Sequence, residues 1–173
     1  MTEKVLGPEG VRVDVEAREG AYSVHVGAGI LIRLPSLLEK HAAAHRYALV
    51  SDDNVGPLHG ERIAEECRVA GLDVTYLTFP SGESSKTRKS WSILTDEMLD
   101  AGLGRDSVVI AVGGGVTTDL AGFVAATYLR GVPVVQVPTS YLAMIDASVG
   151  GKTGVDVHAA KNLVGAFHPP RAV

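Results

Sequence analysis

Cysteine occurs once in this chain, at Cys67, so no internal disulfide can form and a reducing, cytoplasmic setting is expected. Aromatic residues make up only 5%, with a single tryptophan, which leaves little from which to build a stacking platform for single-stranded nucleic acid. Basic residues, 16 in all, are outnumbered by 20 acidic ones, and their dispersal gives no nucleic-acid footprint. No apolar run approaches the roughly 18 residues of a membrane span. The opening Met-Thr-Glu-Lys-Val-Leu-Gly-Pro-Glu-Gly lacks the basic and apolar regions of a signal peptide, and residues 1–10 read as a loose segment. What the chain does have is 46% hydrophobic content over 173 residues, enough for a proper core.

The central stretch is Val108-Val109-Ile110-Ala111-Val112 followed by Gly113-Gly114-Gly115. Five apolar residues, four of them β-branched, predict a strand buried on both faces, as in a parallel sheet between helices. Three glycines then remove every side chain where that strand ends, so main-chain N–H groups can approach a ligand closely. Val116, Leu120, Val124 and Thr127 recur about every turn, which places the glycines at a helix N-terminus, a setting that suits phosphate. The dinucleotide fingerprint G-x-G-x-x-G fails because Thr118 stands at the third glycine. A tight turn without a ligand is the simpler alternative. Asp119, one turn further on, suits a ribose or an amide better than a diphosphate.

Around this centre, Val11–Ala17 and Tyr22–Val26 alternate apolar and polar residues and predict a hairpin turning at Glu19-Gly20. Gly27-Ala28-Gly29 reads as a turn and helix start, because Ile32 occupies the third glycine position of the fingerprint. Arg46–Ser51 reads as a second buried strand, stopped by Asp52-Asp53-Asn54. There Asp52 and Asn54 suit either ribose hydroxyls or a helix cap. A strand Asp73–Phe79 leads into the loop Pro80-Ser81-Gly82-Glu83-Ser84-Ser85-Lys86, with Ser84 or Ser85 the expected cap of the next helix. Val134–Val137 gives a further strand, closed by Pro138-Thr139-Ser140. Strands alternating with helices predict a parallel sheet with crossover helices. His41 and His45 fall four apart near a helix end, on one face if the helix continues; such a pair could bind a metal, but surface histidines are commonplace there and no third ligand is in sight, and Cys67 reads as a core thiol.

From Asp146 the texture changes to two glycine-rich, flexible-looking segments, each carrying a lysine: 146–154 with Lys152, and 160–169 with Lys161. Gly151-Lys152-Thr153 mimics the end of a P-loop, but Asp146 stands where that motif requires glycine. Two lysines supported by glycines point to an anion all the same.

Taken together, Pro80-Ser81-Gly82-Glu83 with Lys86, Val112 through Phe123, Tyr128-Leu129-Arg130-Gly131, Val137-Pro138-Thr139-Ser140, 146–154 and 161–168 resemble the amino-terminal half of the 3-dehydroquinate synthases, a family of sugar phosphate cyclases. The resemblance covers essentially residues 11–173. It implies an α/β domain with a parallel, Rossmann-like sheet, helices on both faces and an amino-terminal β-hairpin, with residues 146–173 forming the substrate-facing wall of a cleft. It further implies NAD contacts at Asp52, Asn54, Glu83, Lys86, Gly114, Gly115, Val116, Asp119, Thr139 and Ser140. Ser81, Gly82, Thr117 and Thr118 in the same loops join that set, as do Lys152 and Lys161. Lys152, Lys161 and Asn162 would face the sugar phosphate or its phosphate, with Asp146 beside nicotinamide and substrate; these four form the implied catalytic set. Arg130 would reach the phosphate in a neighbouring subunit, which implies a homodimer. Ser140 replaces a more usual threonine and keeps the hydroxyl. Thr118 stands where many members have glycine, and its side chain would narrow the loop.

In such enzymes a catalytic zinc or cobalt is held by a glutamate and two histidines of a helical carboxyl-terminal domain. No metal ligand is therefore expected in this chain, His158 and His168 included, and the ending in an apolar strand reads as a cut. The implied reaction is a carbon–oxygen lyase step in the shikimate pathway of aromatic amino acid and chorismate biosynthesis. It converts 3-deoxy-D-arabino-heptulosonate 7-phosphate to 3-dehydroquinate and phosphate, with NAD oxidising a ring carbon and returning the hydride. The chain alone is expected to be inactive. The alternatives are another cyclase, making 2-deoxy-scyllo-inosose or 2-epi-valiolone, a dehydrogenase of the glycerol dehydrogenase type, and a non-catalytic nucleotide-binding or dimerisation module.

Overall fold

The computed structural model describes residues 3–5, 10–17, 20–158 and 160–173. Strands β1 (Glu3–Val5), β2 (Val11–Ala17) and β3 (Gly20–Val26) form an antiparallel sheet in the order β1-β2-β3. The expected hairpin is therefore present, although Glu19 at its turn lies outside the described residues. Residues 3–5 pair with 11–13 and are not loose, which corrects the expectation for that part of 1–10; residues 1, 2 and 6–9 lie outside the described set. Beyond β3, Gly29 takes a left-handed φ of 70° and starts a 3₁₀ turn that runs into helix α1 (Leu34–Ala42), with Pro35 in its first turn, where its missing N–H costs nothing.

The main sheet contains β4 (Arg46–Asp52), β5 (Val74–Phe79), β6 (Ser107–Gly113) and β7 (Val134–Pro138). All neighbours are parallel, in the order β5-β4-β6-β7, and helices α2 (Glu61–Val69), α3 (Arg88–Asp100) and α4 (Gly115–Thr127) connect them. Along β6 the burial is continuous, with alternate residues serving two cores. Val109 and Ala111 pack with Leu94, Met98, Leu120 and Val124 of α3 and α4. Val108, Ile110 and Val112 pack with Leu38, Ile63 and Cys67 of α1 and α2. Burial pushes the Cys67 thiol up to about 11, in keeping with a core residue and not a nucleophile. Among the described residues no helix is long and apolar enough to cross a membrane.

One feature of the tail departs from the sequence reading. The glycine-rich tail is not two flexible segments: β8 (Lys152–Val157) and β9 (Ala160–Phe167) form an antiparallel pair. Gly154 lies opposite Gly165, where a Cβ on Gly165 would overlap the carbonyl oxygen of Thr153, so the glycines serve close strand approach. Residues 171–173 are also paired, because Ala172 bridges Ser23 of β3 on one side and Val135 of β7 on the other. Arg171 N–H donates to Val134 O at 2.7 Å and Val173 N–H to Ser23 O at 2.9 Å, joining the hairpin sheet to the parallel sheet.

Beside this seam His25 of β3 meets His41 of α1 edge-on, with ring centroids 5.2 Å apart. Both Nε2 atoms are buried without a hydrogen-bond partner among the described residues. Burial first, then the charges of His41, Arg12, Lys40 and Arg33, lowers His25 from 6.5 to about 4. His41 is lowered too, chiefly by burial; its ring contact is with His25, and helix α1 ends at Ala42, short of His45, so the two histidines do not share a helix face. Between these values the unfolded chain binds a proton that the folded chain refuses, so stability rises with pH there. Urea unfolding is therefore expected to show the His25 contribution complete above pH 6.5 and lost as pH falls toward about 4. His25→Asn should flatten that part of the profile, and an unchanged slope would contradict it.

Candidate functional site

The chain passes from β4 to β5 on one side of the sheet and returns to β6 on the other, so the strand order reverses at the carboxyl ends of β4 and β6. Such a reversal opens a crevice above the sheet. On the β6 side Gly114 is the N-cap of α4 and no side chain among the described residues caps the helix, while Thr118 N–H closes the first turn onto Gly114 O at 3.0 Å. A Cβ on Gly113 would overlap the Thr117 side chain, and one on Gly114 would stand 3.3 Å from Ser140 Oγ. The bend thus requires glycine at Gly113 for packing and at Gly114 for clearance.

Thr117 and Thr118 turn inward, opposite to a cofactor-facing role for their side chains. Thr117 Oγ1 donates to Asp52 Oδ2 at 3.1 Å, and Thr118 Oγ1 to Gly115 O at 3.0 Å. Thr118 is 1% exposed, so it does not narrow the loop as expected. The other oxygen of Asp52 accepts the N–H groups of Asn54 (3.0 Å) and Val55 (2.8 Å), which makes Asp52 the buried acceptor that closes the turn after β4 and leaves exposed Asn54 as the freer polar group. Asp53 Oδ1 accepts Ser81 N–H at 2.8 Å and steers the β5 loop; Gly82 turns that loop with φ 96°. Thr87, and neither Ser84 nor Ser85, caps α3, accepting Ser90 N–H at 3.2 Å. Thr139 N–H donates to Gly113 O at 2.9 Å and Ser140 Oγ accepts Ala143 N–H at 3.3 Å, fixing the β7 loop beside the glycines.

A cleft of about 820 Å³ opens over α4, lined by Glu83, Lys86, Gly115, Val116 and Asp119 on one side and by Asp146, Lys152 and Asn162 on the other. The sequence reading located these residues; the structure brings them together through the β8–β9 pair. It also adds lining residues the sequence did not single out for a site: Leu142, Val149, Thr153, Leu163 and Phe167. Lys161 stays outside the lining, 72% exposed with Nζ 3.4 Å from Glu83 Oε1. Arg130 lies elsewhere, in a separate cleft of about 310 Å³ with His168 and Arg171, at left-handed φ 73°. His168 Nε2 lies 2.8 Å from Val132 O.

The electrostatic centre of the main cleft is Lys86, only 3% exposed. Its Nζ reaches Asn162 Oδ1 at 2.6 Å, Asp119 Oδ2 at 3.1 Å, Glu83 Oε1 at 3.3 Å and Asp156 Oδ1 at 3.8 Å. Burial opposes the Lys86 charge, but the hydrogen bond to Asp119 and the surrounding carboxylates outweigh it and hold the group above the ordinary lysine range. For Asp119 burial wins over the Lys86 contacts, and its carboxyl is raised. The N-terminal donors of α4, the side-chain-free bend and the mixed polar wall fit a dinucleotide. A metal does not fit: among the described residues no three His, Cys, Asp or Glu side chains converge to hold one.

This architecture is that of the amino-terminal α/β unit of sugar phosphate cyclases. The chain superposes on 2-deoxy-scyllo-inosose synthase, solved with carbaglucose-6-phosphate, NAD+ and Co2+, with a TM-score of 0.86 at 29% identity, over 94% of this chain and 44% of that one. A 2-epi-5-epi-valiolone synthase from Streptomyces hygroscopicus subsp. jinggangensis 5008, solved with NAD+ and Zn2+ bound, gives a TM-score of 0.78 at 33% identity over 91% and 43% of the two chains. The sequence model for the amino-terminal part of 3-dehydroquinate synthase matches residues 76–173, and the chain belongs to this family. A 3-dehydroquinate synthase of Symbiobacterium thermophilum (strain DSM 24528 / JCM 14929 / IAM 14863 / T) is 50% identical over 160 residues, which is 92% of this chain and 45% of that protein. The chain thus spans about half the length of the relatives it matches.

Lys86→Met would leave three carboxylates facing one another without their buried counter-charge. Urea unfolding at pH 7 should show a loss of about 3 kcal/mol. The loss should shrink toward pH 5, as Asp119, already raised by burial, takes up a proton. An equal loss at both pH values would remove the cluster as its cause.

Proposed function

We propose that this chain is the NAD-binding half of a 3-dehydroquinate synthase, converting 3-deoxy-D-arabino-heptulosonate 7-phosphate to 3-dehydroquinate and phosphate within the shikimate pathway. The observation that carries the reading is the uncapped start of α4 behind a side-chain-free bend, at the switch point of the sheet, opening into one cleft with Lys152, Asp146 and Asn162. The 50% identity to a named 3-dehydroquinate synthase favours this substrate over those of the other cyclases.

In this reading the main-chain N–H groups at Gly114, Gly115 and Val116 receive the diphosphate, where the partial positive charge of the helix end favours an anion. Glu83 and Asn54 serve ribose hydroxyls. Lys86, held charged by its carboxylates, keeps Asp119 and Asn162 in place. Lys152 and Asn162 hold the phosphate of the sugar, Lys161 reaches in from the rim, and Asp146 stands beside the reacting ring. When bound, NAD supplies a reversible acceptor for hydride. The metal and its ligands belong to a carboxyl-terminal half; among the described residues no set fits one. Arg130, apart from the main cleft, serves the phosphate of a second subunit in a homodimer, and the enzyme works in the cytoplasm.

Calorimetry is expected to show the 173-residue chain binding NAD. Gly114→Val should weaken that binding by about tenfold or more through lost main-chain access. Lys152→Ala should leave NAD affinity within about threefold, while reducing turnover of the chain joined to its carboxyl-terminal half by about a hundredfold. Equal loss of both would move Lys152 to the cofactor, and turnover by the chain alone would show that it is a complete enzyme.

A further inference from the structure

Asp156 does not line the cleft, yet it touches the residues that do. It sits where the β8–β9 register slips between Val155 and Val157, and its N–H donates to Lys86 O at 2.7 Å, tying β8 to the segment before α3. Its Oδ1 accepts the main-chain N–H of Asn162 at 2.7 Å and lies 3.8 Å from Lys86 Nζ. Asn162 Oδ1 in turn accepts from Lys86 Nζ at 2.6 Å. The three groups therefore close a circuit of carboxylate, carboxamide and ammonium, anchored at Asp156.

Asn162 needs such an anchor. Its φ of 54° is left-handed, a conformation that asparagine tolerates better than most residues but that is costly without support. A charge-assisted bond to its N–H supplies that support from across the strand pair. In this conformation Asn162 lines the cleft with its carboxamide oxygen on Lys86, while the neighbouring Lys161 stands 3.4 Å from Glu83.

We propose that Asp156 is a positioning residue: it fixes the backbone of Asn162 and the stance of Lys86, and so sets the polar wall against which the cleft's ligand is held. The inference rests on the reading of that cleft as a dinucleotide and sugar phosphate site. A carboxamide at 156 can still accept from Asn162 N–H, whereas a methyl group cannot, so Asp156→Asn and Asp156→Ala separate the effects of shape and bond.

The test uses the 173-residue chain, with amide hydrogen exchange read at Asn162 and calorimetry with NAD. Asp156→Ala should speed exchange at Asn162 by about tenfold or more, without matching acceleration at the core amides of β6, and should weaken NAD binding by about tenfold. Asp156→Asn should stay within about threefold of wild type in both. Acceleration spread evenly over the whole chain, exchange at Asn162 unchanged in Asp156→Ala, or NAD affinity unchanged while Asn162 loosens would each overturn the proposal. A wild-type chain that takes up no NAD would instead sink the cofactor reading, and the exchange arm would still decide the hold of Asp156 on Asn162.

Discussion

A side chain at residue 113 would collide with Thr117, and the geometry of the whole upper edge of the sheet follows from its absence. With no Cβ there, α4 starts directly over the end of β6 and Thr117 comes near enough to donate to Asp52 at the end of β4. That bond spans the two strands at which the topology reverses. The second oxygen of Asp52 then shapes the turn after β4, so one vacant position organises two loops. The cost is a helix whose first donors are left without a side-chain cap, and that is the property an anionic ligand exploits.

Next to that bend the cleft is held electrostatically. Two ammonium groups, Lys86 and Lys161, stand among the carboxylates of Glu83, Asp119 and Asp156, which leaves the cluster one negative charge in excess. Burial above all, with a smaller contribution from the charges of Glu83 and Asp156, raises the affinity of Asp119 for a proton against the pull of Lys86. Buried pairs of this kind add little net stability but penalise every arrangement that separates them. The cluster therefore serves less as glue than as a register mark, fixing where the β8–β9 pair sits on the α/β layer.

Much of this was legible in the sequence. The β-branched run at 108–112, the glycine bend and the alternation of strands with helices announced a parallel sheet, because continuous burial on both faces leaves a compositional trace. The cleft residues Glu83, Lys86, Asp119, Asp146, Lys152 and Asn162 were found through their motifs and converge in space. The β8–β9 pair was not legible. Its glycines permit close strand approach, and on sequence alone glycine reads as looseness. Most of β9 is exposed, so the usual alternation is missing. The inward turn of Thr117 and Thr118 was hidden for a related reason, since a hydroxyl beside a glycine bend looks like a ligand contact until its buried acceptor is known. Asp156 gave no local signal, because its partners at Lys86 and Asn162 lie on other elements.

The seam at Ala172 deserves a mechanical reading. A segment bonded along both edges, to β3 through Ser23 and His25 and to β7 through Val134 and Gln136, cannot be withdrawn one bond at a time. Force applied along it loads the bonds on its two sides together, in shear, so that tension at residue 173 would be shared between the amino-terminal sheet and the parallel sheet before either gave way. Residues 171–173 thus act as a tie bar between the amino-terminal sheet and the parallel sheet.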